Sequence, residues 1–238
     1  MSIVVLPSAR LAAGQNTGEG RPFERFFKRA FDFLASSLGL LLLLPVCLLI
    51  AIAVKLDTQG PIFYTQERVG INRRRLRRGE APPLPERRKA DCYGRPFRIY
   101  KFRSMVTDAE RNTGPVWASA RDSRITRVGR FLRRTRLDET PQLWNVMRGD
   151  MSLVGPRPER PTFVQSLSVT LPDYPKRCSA MPGITGLAQV KSQYDTSVES
   201  VHRKLQYDLY YLKNGRLLLD LKIMAATVKV MARGDGAH

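Results

Sequence analysis

Asp138 and Glu139 stand side by side in the segment RFLRRTRLDETPQLWNVMRGDMSLVGPRP, residues 130 to 158, with Arg130, Arg133, Arg134 and Arg136 just ahead of them. Thr140 in the N-cap place and Pro141 at the first helical position predict a helix over 141–147 that stops near Gly149. The positive end of that helix and the Arg cluster favour ionised carboxylates, so Asp138 is expected to be a competent nucleophile or metal ligand at neutral pH. Acids at a helix start are also ordinary capping charges, and taken alone the pair reads that way. Its company tips the reading. Arg157 lies between Pro156 and Pro158, which restrict the backbone around a single guanidinium as a phosphate-positioning residue needs. Lys101 and Arg103, two apart on a predicted strand, share one face, although edge-strand charges that block aggregation give the same pattern.

Other chemistries find no residues. His202 and His238 are the only histidines, which leaves no Ser-His-Asp triad and no multi-histidine metal site. Cys47, Cys92 and Cys178 are odd in number and include no C-x-x-C, so neither a disulfide framework nor a thiolate zinc site is supported, and a reducing compartment fits. No G-x-x-x-x-G-K-[ST] and no G-x-G-x-x-G after a strand offers a backbone cradle for phosphate. Phosphate would then be held by side chains together with a hard, oxygen-seeking cation, for which Mg²⁺ is expected. Pro182 to Gly186 reads as a tight turn or a ligand loop.

The chain of 238 residues has room for one compact domain and an anchor. Forty Lys and Arg against 21 Asp and Glu give +19, and thirty of the forty are Arg. That surface must meet something anionic, and the Arg bias favours phosphate. A mean hydropathy of −0.27 excludes a polytopic membrane protein.

The elements that must position these residues begin with an anchor. Phe33 to Val54 is a run of 22 residues without a charge, long enough to span a bilayer. Pro45 inside it removes a backbone donor, so a helix must kink or break there, giving two short arms. Both flanks are basic: Arg25, Lys28 and Arg29 before, Lys55, Arg68 and Arg73 to Arg75 after. Both ends therefore read as cytoplasmic, and a re-entrant helix-break-helix over 25–56 is expected in preference to a single kinked span.

Residues 1–24 read as a flexible tail and 57–238 as the catalytic domain. Ile62 to Thr65 and Pro96 to Met105 are predicted strands that can form a hairpin. Between them lies an Arg-rich, Pro-rich insertion at about 73–90, either a solvated linker or a headgroup-attracting segment. Residues 121–136 predict a short helix with a basic face. Ser197 to Lys213 and Arg216 to Ala232 predict two more helices, the second broadly apolar. The fold class expected is α+β: a re-entrant membrane helix broken at Pro45, then a mostly helical cytoplasmic domain with a small β-hairpin and surface amphipathic helices.

Four blocks in order carry a resemblance: KRAFDFLASSLGLLLLLPVCLLIAIAVKLDTQGPIFYTQERVG, FRIYKFRSM, RITRVGRFLRRTRLDETPQLWNVMRGDMSLVGPRPE and PGITGLAQV. Together they resemble the bacterial sugar transferases known as monotopic polyprenyl-phosphate phosphoglycosyl transferases, over roughly residues 26–232. The resemblance implies transfer of a sugar-1-phosphate from a UDP-sugar to undecaprenyl phosphate with release of UMP, beginning glycan assembly at the cytoplasmic face of the bacterial inner membrane. It implies Asp138 as nucleophile of a covalent phosphosugar intermediate, Glu139 as second acid, Mg²⁺ as cofactor, and Lys101, Arg133 and Arg157 as phosphate contacts. Expected partners are the UDP-sugar, undecaprenyl phosphate and inner-membrane lipids, with no nucleic acid; a homo-oligomer is compatible. Two departures stand out: Leu44 replaces the Ser that many members have before the proline, and the usual S-L-D-E-L-P reads Arg136-Leu137-Asp138-Glu139-Thr140-Pro141. The rival readings are a membrane-anchored basic nucleic-acid-binding protein, for which no recognition motif is present, and a non-catalytic scaffold.

Overall fold

A computed structural model of the chain describes residues 22–72, 93–109, 122–192 and 198–233. The expected tail, up to residue 21, and the whole 73–90 insertion lie outside the described residues. Within them the architecture is α+β: six α-helices and two small two-stranded sheets beside one long apolar helix.

That helix, α1, runs without interruption from Pro22 to Asp57 and contains Pro45. The expected break at Pro45 is thus corrected to a continuous helix. A proline costs one intrahelical bond, and here packing on both sides of it holds the helix to one surface. Asp32 and Ser36 before it and Ile50 and Val54 after it are buried, and a side chain at Gly39 would press on Leu143. The other faces are bare: thirteen large apolar residues from Phe23 to Leu56, among them Leu34, Leu41, Leu42 and Leu49, are about half exposed or more. Within the described residues α1 is the one helix long and apolar enough to cross a membrane.

Both ends of α1 are tied down. Lys28 donates to the Val154 carbonyl (3.2 Å) and ion-pairs with Asp220. Arg29 donates to the last carbonyls of the Gln142–Arg148 helix, at Val146 (2.6 Å) and Met147 (2.7 Å). At the far end Arg103 donates to the carbonyls of Val54 (3.2 Å), Thr58 (2.6 Å) and Gln59 (2.6 Å), capping α1 with a fixed cation. Arg103 is therefore buried structure, neither an aggregation guard nor a phosphate ligand.

The expected hairpin forms: β1 (Phe63–Val69) pairs antiparallel with β2 (Pro96–Phe102), Phe63 opposite Phe102 and Val69 opposite Pro96. Helix α2 spans Arg127–Thr135, and Gly129 lets it approach the Ser104 carbonyl so closely that a Cβ would collide. Ile50, Val54, Phe102 and Leu132 form the core joining α1, β2 and α2. Burying each such side chain is worth about 1.5–3 kcal/mol.

Helix α3 spans Gln142–Arg148, one residue later than expected, and ends at Gly149 with φ +89°. Its Asn145 side chain accepts from the Tyr100 amide (3.1 Å) and donates to the Arg98 carbonyl (2.8 Å), fastening α3 to β2. Strand β3 (Ser152–Val154) pairs in parallel with β4 (Gly183–Thr185), so the expected turn at 182–186 is partly a strand. Helices α4 (Pro161–Thr170), α5 (Leu187–Lys191), α6 (Val198–Asn214) and α7 (Leu217–Arg233) complete the body, the last two within two residues of expectation.

Candidate active site

Chain direction changes abruptly where α2 ends. Arg136 caps α2 in the left-handed conformation (φ 60°), unusual for a residue with a Cβ. The chain passes straight into a single 3-10 turn, Leu137–Glu139, which carries both acids. Thr140 is helical and donates its hydroxyl to the Leu137 carbonyl (2.8 Å), so it is not the expected N-cap. The 3-10 turn runs on into α3, and no free helix start faces the carboxylates.

Three separate segments converge on this turn. Glu139 Oε1 accepts from Lys101 Nζ of β2 at 2.7 Å and from an Arg157 guanidinium nitrogen at 2.6 Å, the latter from the loop after β3. Burial alone would push the Glu139 carboxyl up, but Arg157 and then Lys101 hold it well below the usual glutamate range. Glu139 in return keeps Arg157 more firmly protonated. Burial lowers Lys101, and Glu139 opposes that shift.

Asp138 differs from its neighbour. It is 6% exposed and makes no ion pair within 4 Å among the described residues. Burial raises its pKa above the ordinary aspartate value, against the pull of Lys101 and, more weakly, of Arg133 and Arg157; the adjacent Glu139 charge raises it further. The expectation that helix end and Arg cluster favour the ionised form is corrected accordingly: desolvation outweighs the cations. A weakly paired, more basic carboxylate is also the better nucleophile of the two.

Arg133 occupies the flank of α2 that faces this turn, with one guanidinium nitrogen buried and without a hydrogen-bond partner. A buried cationic donor of this kind is costly unless something fills the place beside it, and a phosphate oxygen would. Gln142, 1% exposed, likewise has its amide nitrogen unpartnered.

The loop holding Arg157 is fixed by its own backbone. The carbonyl of Arg157 accepts from Arg177 (3.0 Å), that of Pro158 from Arg68 (3.0 Å), and that of Glu159 from the Val69 amide (2.9 Å). Arg177 is itself held by Asp208 of α6 (2.8 Å) and the Tyr174 hydroxyl (3.0 Å). Sequence reasoning finds Asp138, Glu139, Lys101, Arg133 and Arg157, and the structure brings all five to one place. It misses Arg177 and Asp208, which are 31 residues apart and lie in no motif that would join them.

No group of three or more His, Cys, Asp and Glu fit to hold a metal occurs among the described residues. Glu139 spends Oε1 on two cations, whereas Asp138 makes no ion pair among the described residues and is the carboxylate of the pair freer to offer an oxygen. Mg²⁺ is commonly held by one or two carboxylates with the substrate's phosphates completing its shell, and the site fits that limited mode.

An acid pair divided between a cation-bound and an unpaired carboxylate, with an open Arg133 donor beside it and a bare apolar helix in the same body, is a set of groups suited to phosphate esters at a membrane. The bacterial sugar transferase family model matches residues 23–234, and the chain belongs to that family. It is 39% identical over 217 residues, 91% of this chain and 46% of the other, to the UDP-N-acetylgalactosamine-undecaprenyl-phosphate N-acetylgalactosaminephosphotransferase of Aeromonas hydrophila. It is 39% identical over 89% of its length, and 72% of the other's, to the UDP-glucose:undecaprenyl-phosphate glucose-1-phosphate transferase of Caulobacter vibrioides. The exopolysaccharide production protein PSS of Rhizobium leguminosarum is 36% identical over 88% of this chain and 97% of its own. The chain spans less than half of the Aeromonas relative.

Proposed function

We propose that this protein transfers a sugar-1-phosphate from a UDP-sugar to undecaprenyl phosphate, in the manner its relatives' names describe, as the first membrane step of a bacterial polysaccharide or glycoconjugate. The observation that carries the mechanism is the unequal environment of the two acids. An Asp138 carboxylate oxygen attacks the phosphorus that bears the sugar; the bond from that phosphorus to the bridging oxygen breaks, and UMP leaves with the electron pair. An oxygen of undecaprenyl phosphate then attacks the same phosphorus, releasing the lipid diphosphosugar and restoring the carboxylate. Splitting the transfer in this way replaces one hard displacement by two easier ones.

Glu139 fixes Lys101 and Arg157 at the edge of the site, where they balance charge on the transferring oxygens, and Arg133 offers its open donor to the same group. Mg²⁺, bound through Asp138 and the substrate's phosphates, would supply further neutralisation of that charge. The site lies beside α1, whose two ends are bound to one body through Lys28 and Arg103. With both ends held on the same domain, α1 is read as seated in the cytoplasmic face of the inner membrane without crossing it.

The test is a membrane fraction containing the chain, given undecaprenyl phosphate and a panel of UDP-sugars, with UMP release scored and donor labelled in the sugar. Label on Asp138 before acceptor is added, and its loss on addition, is expected. The Asp138→Asn variant should lose at least about a thousandfold in turnover while keeping its fold. Lipid-linked product made without any labelled protein overturns the covalent step; no product from any donor overturns the transfer; unchanged function in the variant returns the scaffold reading.

A further inference from the structure

Helix α2 has a face that this reaction leaves unused. Arg127, Arg130, Phe131 and Arg134 recur at i, i+3, i+4 and i+7 and so form one stripe. All four are exposed, Phe131 to 52%, while Gly129 and Leu132 on the opposite face are buried. None of the three guanidinium groups has a carboxylate partner among the described residues. That is unlike Lys28, Arg68, Lys101, Arg157 and Arg177, each of which is paired.

The stripe also has a defined height. The Val128 amide donates to Asp57 Oδ2 at 3.1 Å, so α2 starts where α1 ends. The last outward residues of α1 are Ile52 (57% exposed), Lys55 and Leu56 (83% exposed). An apolar surface as large as that of α1 has to leave water, and its border at Leu56 marks the edge of the hydrocarbon. The next layer is that of the headgroups, where aromatic rings and basic side chains gather.

We propose that Arg127, Arg130 and Arg134, with Phe131 inserted between them, bind the phosphates of anionic phospholipid headgroups. This rests on the membrane-lying reading of α1 given above, though not on which sugar is transferred. Guanidinium forks grip phosphate oxygens in pairs, and among the described residues no carboxylate pairs with these three. A headgroup held there sets the height of Asp138 at the membrane surface, because α2 passes through Arg136 directly into the turn that carries it.

The experiment needs no turnover. The full chain in neutral detergent is offered equal amounts of phosphatidylglycerol and phosphatidylcholine, and retained lipids are counted by native mass spectrometry. Wild type should retain phosphatidylglycerol preferentially. Arg127→Gln/Arg130→Gln/Arg134→Gln should lose that enrichment by up to about a hundredfold, from the usual gain per basic residue at an anionic surface taken over three residues. Arg127→Lys/Arg130→Lys/Arg134→Lys should restore most of it, and all three proteins should melt alike. Equal retention of the two lipids by wild type overturns the proposal, as does undiminished enrichment in the Gln variant. Retention of undecaprenyl phosphate alone overturns it in favour of an acceptor track, and retention of an added oligonucleotide in place of lipid overturns it in favour of nucleic-acid binding. If UDP-sugar turnover fails while the lipid preference is present, the transfer reading falls and this one stands.

Discussion

Taking the charge from Glu139 leaves Lys101 and Arg157 facing each other without a shared anion. Glu139→Gln should therefore lower stability by about 3 kcal/mol, less if the partly exposed Arg157 swings into water, and thermal melts will read this apart from activity. The two acids also pull stability in opposite directions with pH. Burial raises the folded-state value of Asp138, so its contribution is fully present below the unfolded value and lost as pH rises through the folded one. Glu139 is held low by Arg157 and Lys101 despite its burial, so its contribution is present above the unfolded value and lost as pH falls through the folded one. For activity, the acid limb of kcat/KM should follow Asp138 and lie above the ordinary aspartate range. Arg133→Gln should move that limb to still higher pH, because Arg133 favours the ionised form. A pH–rate series on both proteins checks it; a limb that stays in place shows that another group controls the step. The acid pair was legible from its bare adjacency amid arginines. The inequality between the acids was not, because it depends on where Lys101 and Arg157, 37 residues before and 19 after Asp138, come to rest.

Elements carry the next layer of consequence. The Arg177–Asp208 pair links α6 to the Arg157 carbonyl, so Asp208→Asn should cost about 3 kcal/mol by leaving a buried guanidinium with only the more distant Glu159, at 4.0 Å, as counter-charge. It should also raise KM for the donor, since the loop of Arg157 loses one of its three backbone ties. Gly129→Ala should push α2 off the Ser104 carbonyl, carrying Arg133 away from the acids; circular dichroism is expected to stay near native while turnover falls. The hairpin and the last two helices could be read in advance, since aromatic and β-branched runs mark the strands and Asn214-Gly215 marks a stop. The pairing of β3 with β4 could not: three residues are too few to show an alternation, and a parallel partner some thirty residues on leaves no local trace. The continuity of α1 was hidden for a different reason. The local rule at Pro45 speaks for a break, whereas the contacts of Ser36, Gly39, Ile50 and Val54 with the domain act on the helix as a whole.

At the scale of the molecule, α1 is as much core as anchor. Ile50 and Val54 complete the cluster with Phe102 and Leu132, and Asp32 accepts from the Leu153 amide at 3.1 Å. A chain beginning at residue 58 should therefore fail to give a soluble, folded domain; size-exclusion and melting profiles of the expressed fragment will show aggregation, and a cooperative monomer would refute the view. Chain length and the apolar run led to an expectation of one body with an anchor, but not of a hydrophobic interior shared between them, because composition does not record which face of a helix meets which neighbour. The same sharing limits how such proteins can be recombined. Lys28 reaches Val154 and Asp220 at once, and Arg29 closes the end of α3. A chimera that imports another protein's membrane helix must bring matching residues at these positions, or change Asp220 with it, so the helix and the domain are inherited as a unit rather than exchanged as modules.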